Sequence, residues 1–168
     1  MIIAPLHHHP PVISALAELI VETVAHAGSV GFMHPLEPEM AAAFWESSLM
    51  AADRGERVVL GAWEGDLLIG TVTLLLNCPP NQPHRAEIAK MMTRVSHRGR
   101  GVASALLQEA ERIAVGRGRT LLNLDTAVEE GASGLYERMG FQKAGVIPDY
   151  ALKPYGGLTG TAIYWKRL

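Results

Sequence analysis

With 168 residues the chain is the size of one domain, long enough to bury roughly two-thirds of the surface it exposes when unfolded. Hydrophobic residues make up 48% and charged residues 19%, a balance that excludes a disordered chain. The formal net charge is −2 with both signs interspersed, which excludes a surface built chiefly for phosphates, so no nucleic-acid partner is expected.

Met1–Pro11 has neither a basic segment nor an apolar run long enough for a signal peptide, and residues 1–11 read as a flexible tail of a single 1–168 domain. His7, His8 and His9 in that tail are adjacent and flanked by proline, an arrangement that rarely converges on one ion, and no metal is expected. Apolar residues then recur at Ile13, Leu16, Ala17, Ile20, Val21 and Val24, which is helical spacing. A Gly/Ser break at 27–31 precedes a second expected helix, Pro38–Asp53, with proline in its first turn and Gly55 after its end. Arg57–Trp63 and Leu67–Leu76 read as a hairpin turned at Glu64-Gly65-Asp66; the second strand is too short and interrupted to cross a bilayer. Cys78, the single cysteine, excludes an intrachain disulfide, and the expected setting is cytoplasmic, away from membranes. After the Pro-rich loop 77–83, Arg85–Val95 reads as a strand and Val102–Val115 as a helix stopped by Gly116 and Gly118. Leu121–Asp125 reads as a strand and Gly131–Met139 as a short helix. Phe141–Val146 and Thr159–Lys166 read as strands joined by a Pro/Gly-rich loop. With Ile2–Ala4 as a first strand, the order is β, α, α, β, β, β, α, β, α, β, β. Hairpins come first and strand–helix–strand crossovers later, which describes a mixed α/β (α+β) domain and not a Rossmann alternation.

Arg98-Gly99-Arg100-Gly101-Val102-Ala103 follows a strand and opens a helix. Successive backbone N–H groups in such a turn form a nest for phosphate oxygens, and the helix adds its unpaired N–H groups and dipole. Gly99 and Gly101 permit close approach, Ala103 keeps the first turn thin, and Arg98 and Arg100 add charge for a diphosphate. The same residues also suit a plain connector with two solvated arginines. They lack the lysine–hydroxyl pair of nucleoside triphosphate loops and the glycine spacing of dinucleotide folds.

Arg98-x-x-Gly101-x-Ala103 resembles the acetyl-CoA pyrophosphate motif of the GNAT acetyltransferase superfamily, and Leu135-Tyr136-Glu137-Arg138-Met139-Gly140-Phe141 resembles its LYxxxGF segment. Four further patches are similar to the tabtoxin-resistance branch, whose members acetylate a β-lactam amine. These are Gly28–Met33, Arg85-Ala86-Glu87, Leu124-Asp125-Thr126 and Thr161–Tyr164. The chain departs from that branch at Ala127–Glu130 and at Pro148-Asp149-Tyr150, two loops expected to border the acceptor pocket.

The resemblance implies a central sheet of about six to seven strands, splayed between the fourth and fifth, with four flanking helices. It implies acetyl-CoA as co-substrate, no metal, a small-molecule amine acceptor and a possible homodimer. Met91, Met92 and Thr93 would supply amides to the pantetheine arm. Arg98, Gly99, Arg100, Gly101, Val102, Ala103 and Ser104 would hold the pyrophosphate. Tyr136 falls where the family places a tyrosine near the CoA sulfur, although a packing role for its ring fits the same position. Glu87 and Asp125 match the carboxylates that deprotonate the amine; a surface-edge Glu87 and a turn-capping Asp125 are the alternatives. Ser29 and Phe32, between the first two helices, are candidates for acceptor contact. A protein or peptide acceptor and a non-catalytic acyl-CoA sensor remain open alternatives.

Overall fold

The computed structural model describes residues 1–128 and 133–168. The elements in chain order are β1 (Ile2–Pro5), α1 (Pro10–Ala25), α2 (Pro38–Asp53), β2 (Arg57–Glu64), β3 (Leu67–Leu75) and β4 (Arg85–Thr93). A 3-10 turn, Val95–His97, leads into α3 (Val102–Gly116), followed by β5 (Leu121–Ala127), α4 (Ser133–Arg138), β6 (Gln142–Leu152) and β7 (Leu158–Arg167). One seven-stranded sheet runs in the order β1-β2-β3-β4-β5-β7-β6, antiparallel throughout except for the parallel pair β4–β5.

Both first helices start at proline, whose missing N–H costs nothing in a first turn. They cover one face of the sheet, burying Leu16, Leu19, Ile20 and Val24 of α1 with Trp45 and Leu49 of α2. On the other face α3 buries Leu106, Leu107, Ala110 and Ala114 against Leu60, Val72, Leu74 and Ile88. Strand alternation accounts for the two layers: Val58, Leu60 and Ala62 enter the α3 core while Val59 between them enters the α1–α2 core.

Two segments differ from their sequence reading. Residues 1–11, read as a flexible tail apart from a first strand at Ile2–Ala4, carry that strand as Ile2–Pro5 and the start of α1, because β1 satisfies the backbone groups on the outer edge of β2. The strand read as Phe141–Val146 continues to Leu152 and absorbs Pro148-Asp149-Tyr150 in a bulge, Ile147 facing Thr161 and Ala151 facing Thr159. Pro148 read as a loop signal, but β6 is an edge strand, where a missing N–H breaks no ladder. The expected start of the fourth helix at Gly131 and the segment Glu129-Glu130 lie outside the described residues.

Candidate active site

The parallel pairing of β4 and β5 stops early. Arg85, Ala86 and Glu87 face Leu121, Leu122 and Asn123, and beyond them the strands have no shared ladder. A cavity of about 720 Å³ lies along this splay, lined on the β4 side by Ile88–Thr93 and on the β5 side by Asp125–Ala127. β4 also carries a bulge there: Thr71 and Thr73 of β3 face Met92 and Ala89, three steps against two, and Lys90 takes φ +50°.

At one end of the cavity the chain enters α3 through Gly101, in the left-handed region at φ +81° and without a side-chain cap. The first N–H groups of α3 therefore have no side-chain acceptor at the N-cap, the condition that suits an anion. A Cβ on Gly99 or Gly101 would meet no protein atom within 4 Å, so the space beside this turn is open to a ligand. Arg98 and Ala103 line the cavity. Arg100 instead donates to Glu64 at 3.0 Å, and His97 Nε2 lies 3.0 Å from the same carboxylate. The bond from His97, then the Arg100 charge, holds the Glu64 carboxyl below its ordinary range. Just upstream, Arg94 ties the end of β4 to α1, donating to Glu22 at 2.6 Å and to the Leu68 carbonyl at 2.7 Å.

At the other end the cavity is lined by Gly28–Phe32 and Tyr150–Leu152, and the segments next to them touch. The tip of the β6–β7 hairpin reaches the α1–α2 loop: Pro154 accepts from the His34 N–H at 2.8 Å, Tyr155 stacks on the His34 ring at 4.3 Å, and the Tyr155 hydroxyl donates to the Ala25 carbonyl at 2.8 Å.

A profile of the acetyltransferase (GNAT) family matches residues 20–141, the stretch that builds the splay and the glycine turn. The chain belongs to the GNAT acetyltransferase family. It is 37% identical over 105 residues to the uncharacterized N-acetyltransferase YsnE of Bacillus subtilis, covering 60% of this chain and 67% of that protein. It is 34% identical over 99 residues to N-acetyltransferase 8 of Rattus norvegicus, covering 56% of this chain but only 43% of the rat protein. The fold superposes on the ribosomal-protein-alanine N-acetyltransferase of Brucella melitensis with a TM-score of 0.84 at 20% identity, covering 100% of both chains. It superposes on yncA of Salmonella typhimurium, solved with acetyl-CoA, with a TM-score of 0.78 at 16% identity, covering 99% of this chain and 94% of that one. The seven-stranded mixed sheet with parallel β4–β5 and four helices is the GNAT fold.

Within this GNAT cavity the structure gathers Asp125, Tyr136, Met91, Met92, Thr93, Arg98, Ala103, Ser29 and Phe32 from five separate stretches of sequence. Asp125 is exposed in the cavity and accepts from the Thr161 hydroxyl at 3.2 Å. The Tyr136 ring is buried, 5.9 Å from the rings of Phe141 and Tyr164. Phe32 packs edge-on against Phe44 at 5.3 Å. Glu87 does not line the cavity; it lies 3.4 Å from Arg85, whose guanidinium also donates to Asn123 at 2.6 Å. Gly99, Arg100, Gly101, Val102 and Ser104 form the turn and first helical turn beside the cavity rather than its wall. Sequence reasoning passed over Lys90, which does line it. The signal was one lysine among Ile88-Ala89 and Met91-Met92, where a charge has no packing reason to be. Among the described residues no group of three His, Cys, Asp or Glu side chains is close enough to hold a metal, and no helix is long and apolar enough to cross a membrane.

Proposed function

We propose that this GNAT protein transfers the acetyl group of acetyl-CoA to the amine of a small, amino-acid-like molecule, an antimetabolite or antibiotic, in the cytoplasm. The observation that carries the reading is the contact between the hairpin tip and the α1–α2 loop, whose neighbouring residues Gly28–Phe32 and Tyr150–Leu152 line the cavity. With the hairpin tip bonded to the α1–α2 loop, the space beside Asp125 suits a compact acceptor better than an extended peptide. The sequence patches shared with the tabtoxin-resistance branch support the same acceptor class. The uncovered edge strand β6, with Val146 and Ile147 exposed, supports the homodimer that the family resemblance allowed as a possibility.

The residues present fit the co-substrate. The uncapped start of α3 and Arg98 would hold its diphosphate, and the unpaired edge of β4 at Met91–Thr93 would hold its amides. Bound there, acetyl-CoA supplies an activated thioester for direct attack by the amine, with both substrates held together. Asp125, exposed in the cavity, takes the proton from the acceptor ammonium and leaves the neutral amine as nucleophile. Tyr136, from α4, donates to the departing thiolate. Glu87 takes an outer place in the proton path, since Arg85 holds it outside the cavity lining at the foot of the splay.

The test is thiol release from acetyl-CoA against amines, amino acids, β-lactams, aminoglycosides and peptides. Removing the contact base in Asp125→Asn lowers kcat by roughly 10²–10⁴-fold, and Tyr136→Phe lowers it by about 10²-fold. Glu87→Gln has the smaller effect of the two carboxylate changes. Turnover confined to peptides makes the chain a protein acetyltransferase. Tight acetyl-CoA binding with no turnover on any acceptor makes it an acyl-CoA sensor, and either result ends this reading.

A further inference from the structure

Lys90 stands at the point of β4 where its charge is hardest to accommodate. Ala86 and Ile88 both enter the core beneath α3, and simple alternation would send Lys90 after them. The bulge prevents this. One extra residue and a positive φ turn the side chain to the opposite face, where Nζ donates to the Val30 carbonyl at 2.8 Å and lies 5.5 Å from the centre of the Phe44 ring. A positive φ on a residue other than glycine is costly, and so is a half-buried ammonium without a carboxylate. Among the described residues Lys90 makes no ion pair, and only one of its three N–H donors has a hydrogen-bond partner. Burial draws its pKa below the ordinary lysine value, while the charge of Asp125 pulls the other way.

The two strands that splay thus bring opposite charges to one chamber, Lys90 from β4 and Asp125 from β5. The mechanism gives Asp125 the acceptor ammonium and leaves Lys90 without a task. An acceptor with no anionic group would leave the Lys90 ammonium uncompensated in the closed complex, and a polycationic acceptor would be repelled by it. A carboxylate would take its two remaining donors in charge-assisted bonds. We propose that Lys90 binds a carboxylate of the acceptor, so that the chamber selects zwitterionic amino acids and their analogues, ammonium toward Asp125 and carboxylate on Lys90. This rests on the small-amine reading above and narrows it.

The experiment compares free amino acids with their own carboxamides as acceptors, for the unmodified protein and for Lys90→Met and Lys90→Gln. Acetyl-CoA affinity and melting temperature serve as checks on folding. The acid is expected to exceed its amide by roughly 30-fold in kcat/KM, the value of about 2 kcal/mol for a hydrogen bond to a charged group, with the difference mainly in KM. Both variants are expected to bring the acid-to-amide ratio close to one, with the loss falling on the acid. Equal use of acid and amide by the unmodified protein overturns the assignment without needing any variant. A ratio that survives in a folded variant overturns it too. Turnover restricted to peptides defeats the small-amine reading itself, whereas turnover on small amines without the acid preference defeats the Lys90 assignment alone.

Discussion

Lys90 and Asp125 are treated differently by their surroundings. Asp125 is exposed in the cavity and held by one hydroxyl, so its carboxylate keeps access to solvent and acceptor. Lys90 is half-buried, its proton affinity lowered first by burial and restored in part by Asp125. That difference has a thermodynamic consequence with a definite sign. The unfolded chain holds this proton until about pH 10.4, whereas the folded chain releases it earlier. Between the lowered folded value and the unfolded one, the unfolded state binds more protons, so stability contributed at this site rises with pH. The unmodified protein should therefore gain stability relative to Lys90→Met as pH climbs from 8 to 10.5, other titrating groups cancelling in the comparison. Denaturant unfolding of both proteins across that range checks it, and a flat difference would show that the ammonium is not desolvated.

Among the elements, the position of α3 relative to the splay is fixed by close approach at Gly70. A Cβ there would lie 2.8 Å from Val102, 3.0 Å from the Met92 carbonyl oxygen and 3.1 Å from Leu106. The Val102 and Leu106 side chains belong to the first turns of α3, and the Met92 oxygen belongs to β4, so an alanine must push helix and strand apart. Overpacking of this kind costs about 1–3 kcal/mol. Gly70→Ala is expected to lose that much in denaturant unfolding and to weaken acetyl-CoA binding about tenfold by tilting the N–H groups of the first turn. Calorimetric titration checks the second effect, and unchanged affinity would mean that the turn at Gly99–Gly101 moves independently of α3. Arg94 acts on the same junction from the other side, joining β4 to Glu22 of α1.

At the scale of the molecule, the chamber exists because two distant parts of the chain meet. The hairpin tip at Lys153–Gly157 closes on the loop after α1 through one backbone bond, one ring stack and one hydroxyl bond. His34 and Tyr155 are exposed, so the stack and the hydroxyl bond tune closure without contributing much to folding. Tyr155→Ala removes the stack and the hydroxyl bond. It is expected to raise the acceptor KM by roughly 10-fold, the value of about 1.4 kcal/mol for one solvent-accessible bond, with acetyl-CoA affinity unchanged. Steady-state kinetics at saturating acetyl-CoA check this. A fall in kcat with KM unaltered would place the effect in chemistry and not in closure.

The sequence by itself determined the order of elements, the glycine turn before α3 and the family's motifs, because each is written in a local period or in residues adjacent in the chain. It also named Asp125 and Tyr136 as candidates, and the structure places both in the cavity lining. It misjudged the reach of β6, since a proline tolerated on an edge strand carries the same local signal as one in a loop. Only the tertiary structure decided which residues share the chamber. Glu87 and Lys90 are three positions apart on one strand, yet an arginine and a bulge give them different surroundings, one outside the cavity lining and one within it. Strand alternation holds only for an ideal strand, and the extra residue in β4 shows itself only in the ladder with β3. The splay and the tip-to-loop contact are likewise long-range pairings that stop or begin where distant strands and loops meet, which no local pattern encodes.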